Sequence, residues 1–360
     1  MVAAAAVLVI VGLAPAAVAG TSVSGSVVFR LQDPRLDEAS GLALGLASPG
    51  VVYVQNDSGD TNRVFALDAR TGATAAVVTV AGAVNHDWED IAVAPDAAGT
   101  PSLWIADTGD NRAVRDEVQV YRVDEPRVSA AARDRAVTTG PADVWRVRYP
   151  AGPADVESLA VTPHGVPYLV TKAVTGRSIV YRLPTTPDAG QVRTAVRVGH
   201  VRFTGTNTAN PFGLAGQLTA TGAAFSRDGR LLVVRTYADA WLWRVGGAGV
   251  AAALRTEPRH VPLPEQPQGE GVAVDGDRLL LDSEGVHTAV LSVALPRAPA
   301  TSPTTAPATA MAPAGPSTPA PSRPRAHHTS PLPSRRATAV AVIVAILLAG
   351  GAIVFTRRRR

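Results

Sequence analysis

Acidic residues recur in this chain at spacings that can assemble a site. Glu38-Ala39-Ser40-Gly41-Leu42-Ala43, Asp87-Trp88-Glu89-Asp90-Ile91-Ala92 and Asp155-Val156-Glu157-Ser158-Leu159-Ala160 share one pattern. Weaker copies begin at Thr221 and Glu270, and the five copies lie about 49, 68, 65 and 49 residues apart. Carboxylates are hard oxygen ligands, the type calcium takes, and a metal held by them polarises a bound oxygen or activates a water. Glu89, Glu157 and Glu270 are therefore candidate ligands or general bases. His86, beside the second copy, is a candidate base. A different role is equally open to the glutamates, because a carboxylate at a strand start also accepts backbone N–H bonds from a neighbouring element. A second repeated signal, Asp57-Ser58-Gly59-Asp60 and Asp107-Thr108-Gly109-Asp110, reads as Asx turns or as calcium loops with Asp57, Asp60, Asp107 and Asp110 as ligands.

The segments after each copy say what positions these residues. VVYVQ, RVFALDA and AAVVTV follow the first, and SLWIAD, VQVYRV and VWRVRY the second. PYLVT, SIVYRL and VRVGHVRF follow the third, and LLVVRT and AWLWRV the fourth. Short β-branched and aromatic runs between turn signals are strands, and Asp228-Gly229 and Asp275-Gly276 are hairpin dipeptides. Four antiparallel strands per repeat make a propeller blade, so the fold class expected is all-β, a β-propeller. Five copies predict five blades, with six open. The last copy holds only three strands, and the run 26–31 can supply its fourth and close the ring. The excess length of the two longer repeats is expected in loops at 110–118, 130–142 and 204–218.

Inner strands start, and second strands end, at one edge of a blade. Ser40, Glu89, Glu157, Thr221 and Glu270 then ring one mouth of the central channel. The second strands bring Asn56-Asp57, Asp107, Lys172, Arg235 and Ser283-Glu284 to the same mouth. Asn56, Asp107, Lys172, Arg235 and Glu284 are the ligand-binding candidates, with Lys172 and Arg235 placed to clamp an anionic group.

These strand starts resemble those of exported bacterial propellers of the gluconolactonase and senescence-marker type, and of the esterase-like domain associated with phytases. DWEDIA and IADTGDNR also look like a signature of secreted bacterial propellers. The resemblance spans about 24–296. It implies one divalent metal held in the channel by Glu, Asn and Asp, and a lactonase, esterase or phosphoesterase activity. Lactonases of this type are six-bladed, and the five repeats here depart from that.

The ends of the chain predict its location. Residues 1–19 carry an apolar run and the small-x-small site Ala17-Val18-Ala19, the pattern of a cleaved signal peptide. Residues 337–356 are uncharged, and 20 residues at 1.5 Å each span about 30 Å, one bilayer core. The basic tail 357–360 places the C-terminus inside. Between lies 297–336, rich in Pro, Ser, Thr and Ala, a disordered linker. The tail resembles a wall-sorting signal, but Leu332-Pro333-Ser334-Arg335-Arg336 lacks the Thr-Gly of that motif. A single-pass type I membrane protein with its propeller (24–296) at the cell surface is the expectation, facing an extracellular ligand or envelope component. The chain has no cysteine, so the core must suffice without disulfides. All 30 acidic residues lie between Asp33 and Glu284, against 25 basic residues in the same body, so the pI of about 9.8 belongs to the tail. An acidic body argues against nucleic acid as a partner. No G-x-S-x-G, H-E-x-x-H, P-loop or G-x-G-x-x-G pattern occurs.

Overall fold

A computed structural model describes residues 22–188 and 190–296. The expected leader, linker, membrane span and basic tail lie outside the described residues. Among the described residues no helix is long and apolar enough to cross a membrane.

The chain enters through β1 (Ser26–Arg30) and then builds blades in order. The first blade is β2 (Ala39–Leu44), β3 (Val51–Asn56), β4 (Arg63–Asp68) and β5 (Thr74–Thr79). The second begins with β6 (Trp88–Pro95), β7 (Pro101–Asp107) and β8 (Val118–Asp124). The chain then returns to the first blade, where β9 (Arg135–Thr138) adds to β5 in parallel, and β10 (Asp143–Arg148) completes the second. The third is β11 (Val156–Val161), β12 (Pro167–Thr171) and β13 (Arg177–Arg182), after which β14 (Val192–Thr194) joins β10 in parallel and β15 (Val196–Arg202) closes the blade. A short helix, α1 (Gly213–Leu218), leads into the fourth blade, β16 (Ala220–Phe225), β17 (Leu231–Thr236) and β18 (Asp239–Arg244). Helix α2 (Val250–Ala253) precedes its last strand, β19 (Arg259–Pro262). The fifth is β20 (Val272–Asp275), β21 (Arg278–Leu281) and β22 (Ala289–Ala294), and β1 pairs antiparallel with β22 as its outer strand. Five blades are present, and the first and last parts of the body close the ring as the run 26–31 predicts.

Two of the expected loops are partly ordered elements instead. Segment 130–142 contains β9 and 204–218 contains α1, whereas 110–118 holds no strand or helix until β8 begins at Val118. Each of the first two blades gains a fifth, outermost strand.

Apolar side chains between adjacent blades form five core layers. Trp88, Ile105 and Tyr53 sit between blades one and two; Trp104, Trp145 and Tyr181 between two and three. Strands buried on both faces explain why β3 and β12 read as continuous apolar runs and not as alternations. Burying a large apolar side chain fully is worth about 1.5–3 kcal/mol, and Trp88, Trp104, Phe65 and Leu42 are all below 2% exposed.

At the axis the five inner strands meet in the cyclic order β2, β6, β11, β16, β20. Gly41, Gly222 and Gly271 occupy equivalent positions there. A Cβ on Gly271 would lie 2.6 Å from the Leu42 nitrogen, and one on Gly222 2.6 Å from the Glu270 carbonyl, so only glycine lets the strands come this close. In the second blade the same position is Asp90, whose carboxylate fills the axis. Its Oδ1 accepts from the Ile91 N–H at 2.8 Å; its Oδ2 accepts from Leu159 N–H at 2.8 Å and Ala223 N–H at 3.2 Å. One side chain thus ties blades two, three and four together. Beyond it the channel is lined mainly by apolar side chains, Leu42, Ile91, Val161, Phe225 and Val272 among them, with Arg227 donating to the Gly45 carbonyl.

Candidate functional site

The mouth is built by irregularities in the inner strands. Register shifts fall between Ala39 and Leu42, Trp88 and Asp90, Val156 and Ser158, and Ala220 and Gly222. Each is a bulge at the ring position, and a bulge re-aims the side chain it carries. Ser40 and Thr221 turn their hydroxyls to the next blade. Ser40 Oγ donates to the Glu89 carbonyl, and Thr221 Oγ1 donates to the Gly269 and Glu270 carbonyls at 3.1 and 3.0 Å. These two positions are interblade fasteners. Thr221→Val is expected to cost about 1 kcal/mol of stability in a urea titration, with the mouth unchanged.

The three glutamates differ from the hydroxyls. Glu89, Glu157 and Glu270 are each 3% exposed. Glu157 Oε1 accepts from Lys172 Nζ at 2.6 Å. Glu270 Oε2 is buried with no hydrogen-bond partner. Glu89 stands where two carboxylate triads meet: Asp57, Asp87 and Glu89 offer oxygens all within 4.8 Å of one another, and so do Glu89, Asp155 and Glu157. Oxygens around one calcium at 2.3–2.6 Å are separated by up to about 5 Å, so each triad has the span of a calcium ligand set.

Burial comes first in shaping the protonation of this cluster, and mutual repulsion adds to it. Burial, then Asp87 and Glu157, push the Asp57 carboxyl well up; burial, then Asp57 and Glu157, do the same to Glu89. Burial raises Asp87, while a hydrogen bond with Asp57 partly offsets it. Glu157 is pushed up to about 7 by burial, with Lys172 pulling it down and Asp155 up. Glu284 reaches about 7 through burial and the nearby Glu38 and Glu157. Glu270 rises well above its usual range by burial, then by Glu157 and Glu284. Lys172 is held charged, because Glu157 and its neighbours outweigh the cost of burying it. All these carboxyl shifts run upward, so protons compete with any cation for the cluster.

Of the other predicted residues, some reach the mouth and some do not. Glu284 is at the rim, bonded to Gln268. Asp107 lies beneath Asp87, accepting from its N–H at 3.2 Å and pairing with Arg115 at 3.0 Å. Asp110 accepts from the Arg115 N–H at 2.7 Å, and its own N–H donates to Asp155 Oδ1 at 2.8 Å. Asp60 pairs with Arg63 at 2.8 Å and accepts from Asn56 Nδ2 at 3.0 Å, while the same amide also donates to the Arg35 carbonyl. Only Asp57 of the two turn motifs enters a triad. Arg235 does not line the mouth: it is fully buried between blades four and five, donating to the Gly271 and Asp282 carbonyls and to Gln266 Oε1. His86 is exposed on the rim beside Asp87.

Asp87, Asp155 and Tyr237 are additions that the ring positions alone do not predict. The signal for the first two is the alternation Asp-x-Glu in Asp87-Trp88-Glu89 and Asp155-Val156-Glu157, which puts both carboxylates of each pair on one side of an extended strand. Tyr237 follows the end of β17; its ring packs on Phe212 with centroids 4.5 Å apart, and burial first, then Glu270, push its hydroxyl well up. Gly109, in the second turn motif, forms the wall: a Cβ there would run into Glu89 Oε1 and the Asp87 carboxylate. Lys172 pairs with Glu157 inside the cluster, so Lys172→Met leaves that buried carboxylate without its partner charge.

Fold and site together define a five-bladed β-propeller with an acidic channel mouth. No family model and no curated protein matches the chain. Among solved structures it is similar to a chain of the mitotic checkpoint complex, with 12% identity over 71% of this chain and 63% of that one, at a TM-score of 0.33. It is also similar to a chain in the complex of KlAtg21 with the coiled coil of AgAtg16, with 11% identity over 70% and 65% and a TM-score of 0.32. The chain thus spans less than two thirds of either. Likeness at this level carries no argument about function, and the fold assignment rests on the strand pairing itself.

Proposed function

We propose that this chain is a surface-exposed, membrane-tethered propeller whose mouth binds a hard divalent cation, calcium, and through it an oxygen-rich extracellular ligand or envelope component. The observation that carries the reading is the convergence of Asp57, Asp87, Glu89, Asp155 and Glu157 in overlapping triads on the bulged strand starts. Repetition for packing does not account for it, since the fastening role at the same ring position falls to Ser40 and Thr221. Lys172 supplies a charge that can steer an anionic ligand group to the cation. The tether is read from 337–356 and the export from 1–19. Calorimetric titration of the protein with calcium at neutral pH tests the reading: saturable binding lost in Glu89→Gln supports it, and no heat of binding sinks it.

A second reading, a calcium-dependent hydrolase of the lactonase, esterase or phosphoesterase type, draws on Glu270. A buried carboxylate with one oxygen unpartnered, and with a raised pKa, suits a general base toward a metal-bound water. A panel of lactone, ester and phosphoester substrates separates the two. Turnover that needs calcium and is lost in Glu270→Gln favours the enzyme; binding without turnover favours the ligand-binding role.

A further inference from the structure

Glu89 is the carboxylate common to both triads. In one triad it meets Asp57, which follows β3 in the first blade, and Asp87, which precedes it in its own. In the other it meets Asp155 and Glu157, at the start of β11 in the third blade. Resting on the reading that the mouth binds calcium, we propose that it holds two calcium ions side by side, with Glu89 as the carboxylate that bridges them.

Three features point to two ions over one. The two ligand sets share Glu89 and differ in every other member, drawn from the first and second blades in one case and from the second and third in the other. A single ion seated in either triad leaves two carboxylates of the other triad without a cation. Charge makes the same point once the carboxyls are ionised. Five triad carboxylates stand together, with Lys172 paired to Glu157 and Arg115 to the adjacent Asp107. One divalent ion leaves part of the triad charge uncompensated, and two offset most of it.

The third feature lies outside the triads. Glu270 is 3% exposed, its Oε2 has no hydrogen-bond partner, and it faces Glu157 and Glu284 electrostatically. Buried polar atoms are nearly always partnered, so an unpartnered carboxylate oxygen at the edge of the cluster marks a place for a cation or for water bound to one. Two ions that share a carboxylate sit about 3.5–4 Å apart, the spacing of paired-metal centres. The Gly109 backbone closes the Glu89 and Asp87 side of this space, where any larger residue would intrude.

Equilibrium dialysis of the purified full chain against calcium at physiological ionic strength gives the stoichiometry. Because every acidic residue lies between Asp33 and Glu284, the tail adds no Asp or Glu ligands to the count. Two calcium ions per chain are expected, falling to one in Asp57→Asn and to one in Asp155→Asn, with circular dichroism confirming that each variant is folded. One ion per chain in the unmodified protein overturns the paired site while leaving the proposed cation-binding function intact. None overturns both. Manganese in place of calcium supplies a readout that needs no variant. Two ions sharing Glu89 give the electron paramagnetic resonance spectrum of a coupled pair, with halved hyperfine spacing. Two ions with isolated-ion spectra overturn the bridge.

Discussion

Raising the pH from 5 to 8 is expected to destabilise the calcium-free protein, and calcium is expected to reverse the loss. The sign follows from the direction of the shifts. Glu157 and Glu284 have ordinary values of 4.5 and are pushed up to about 7 in the fold, and Asp282 moves from 3.8 to about 7, in each case by burial first. Groups raised on folding bind protons more tightly in the native state. Their contribution is complete below the unfolded values near 4 and drains away as pH rises through about 7. Asp33 has the opposite sign: despite burial, Arg35 and Thr74 hold it at about 2, so its contribution is lost only as pH falls from 3.8 toward 2. The calcium-free protein is therefore most stable near pH 4 to 5. One shifted group of this size is worth roughly 3 kcal/mol, and protons on neighbouring carboxyls disfavour one another, so the combined loss by pH 8 is a few kcal/mol, or about 10 °C in Tm. Calcium at about a hundred times its Kd restores roughly 2.7 kcal/mol at pH 8 and much less at pH 5, where it must displace protons. Thermal melts at the two pH values with calcium or chelator measure both effects. A Tm that rises with pH without calcium, or equal calcium shifts at the two pH values, contradicts the description of the mouth.

Asp90→Ala should be the most damaging single change outside the blade cores. The carboxylate accepts three backbone N–H bonds, two of them from other blades. Its loss orphans three buried donors at the axis, at about 1–3 kcal/mol each, for a total of roughly 4–6 kcal/mol. Asp90→Asn keeps one acceptor oxygen but brings donors of its own, so it should lose about half as much. Urea titration of the three proteins measures the difference. A loss under about 1 kcal/mol for the alanine variant means that the blades are held at the axis by the glycine contacts alone.

The blade repeat is legible in the sequence because each inner strand begins with the same short pattern and each blade follows it with apolar runs buried on both faces. The closure by β1 is legible because the last repeat is one strand short. β9 and β14 are not: RAVT and VRT are short and lie largely exposed on the outer edge, so they carry no burial pattern to distinguish them from loop. At the mouth, ring positions read from alignment place Glu89, Glu157 and Glu270 together with Lys172. They do not reveal which residues face the axis and which face a neighbouring blade. Arg235 shows the difference. It is the next-to-last residue of the second strand of its blade, as Lys172 follows that of the third, yet its guanidinium turns between blades to backbone carbonyls, with burial lowering its pKa to about 10. Asp90 is likewise one position from Glu89 and performs a separate task. The bulges decide these directions, and a bulge depends on the pairing partner as much as on the residue.

The central claim, a calcium site at the acidic mouth, is tested most directly by diffraction from calcium-soaked crystals of the protein at pH 8, recorded where calcium scatters anomalously. The account predicts anomalous density among Asp57, Asp87, Glu89, Asp155 and Glu157, with the carboxylate oxygens about 2.3–2.6 Å from it. An empty mouth with Glu157 still paired only to Lys172, or density confined to the Asp60 and Asp110 turns, would contradict it.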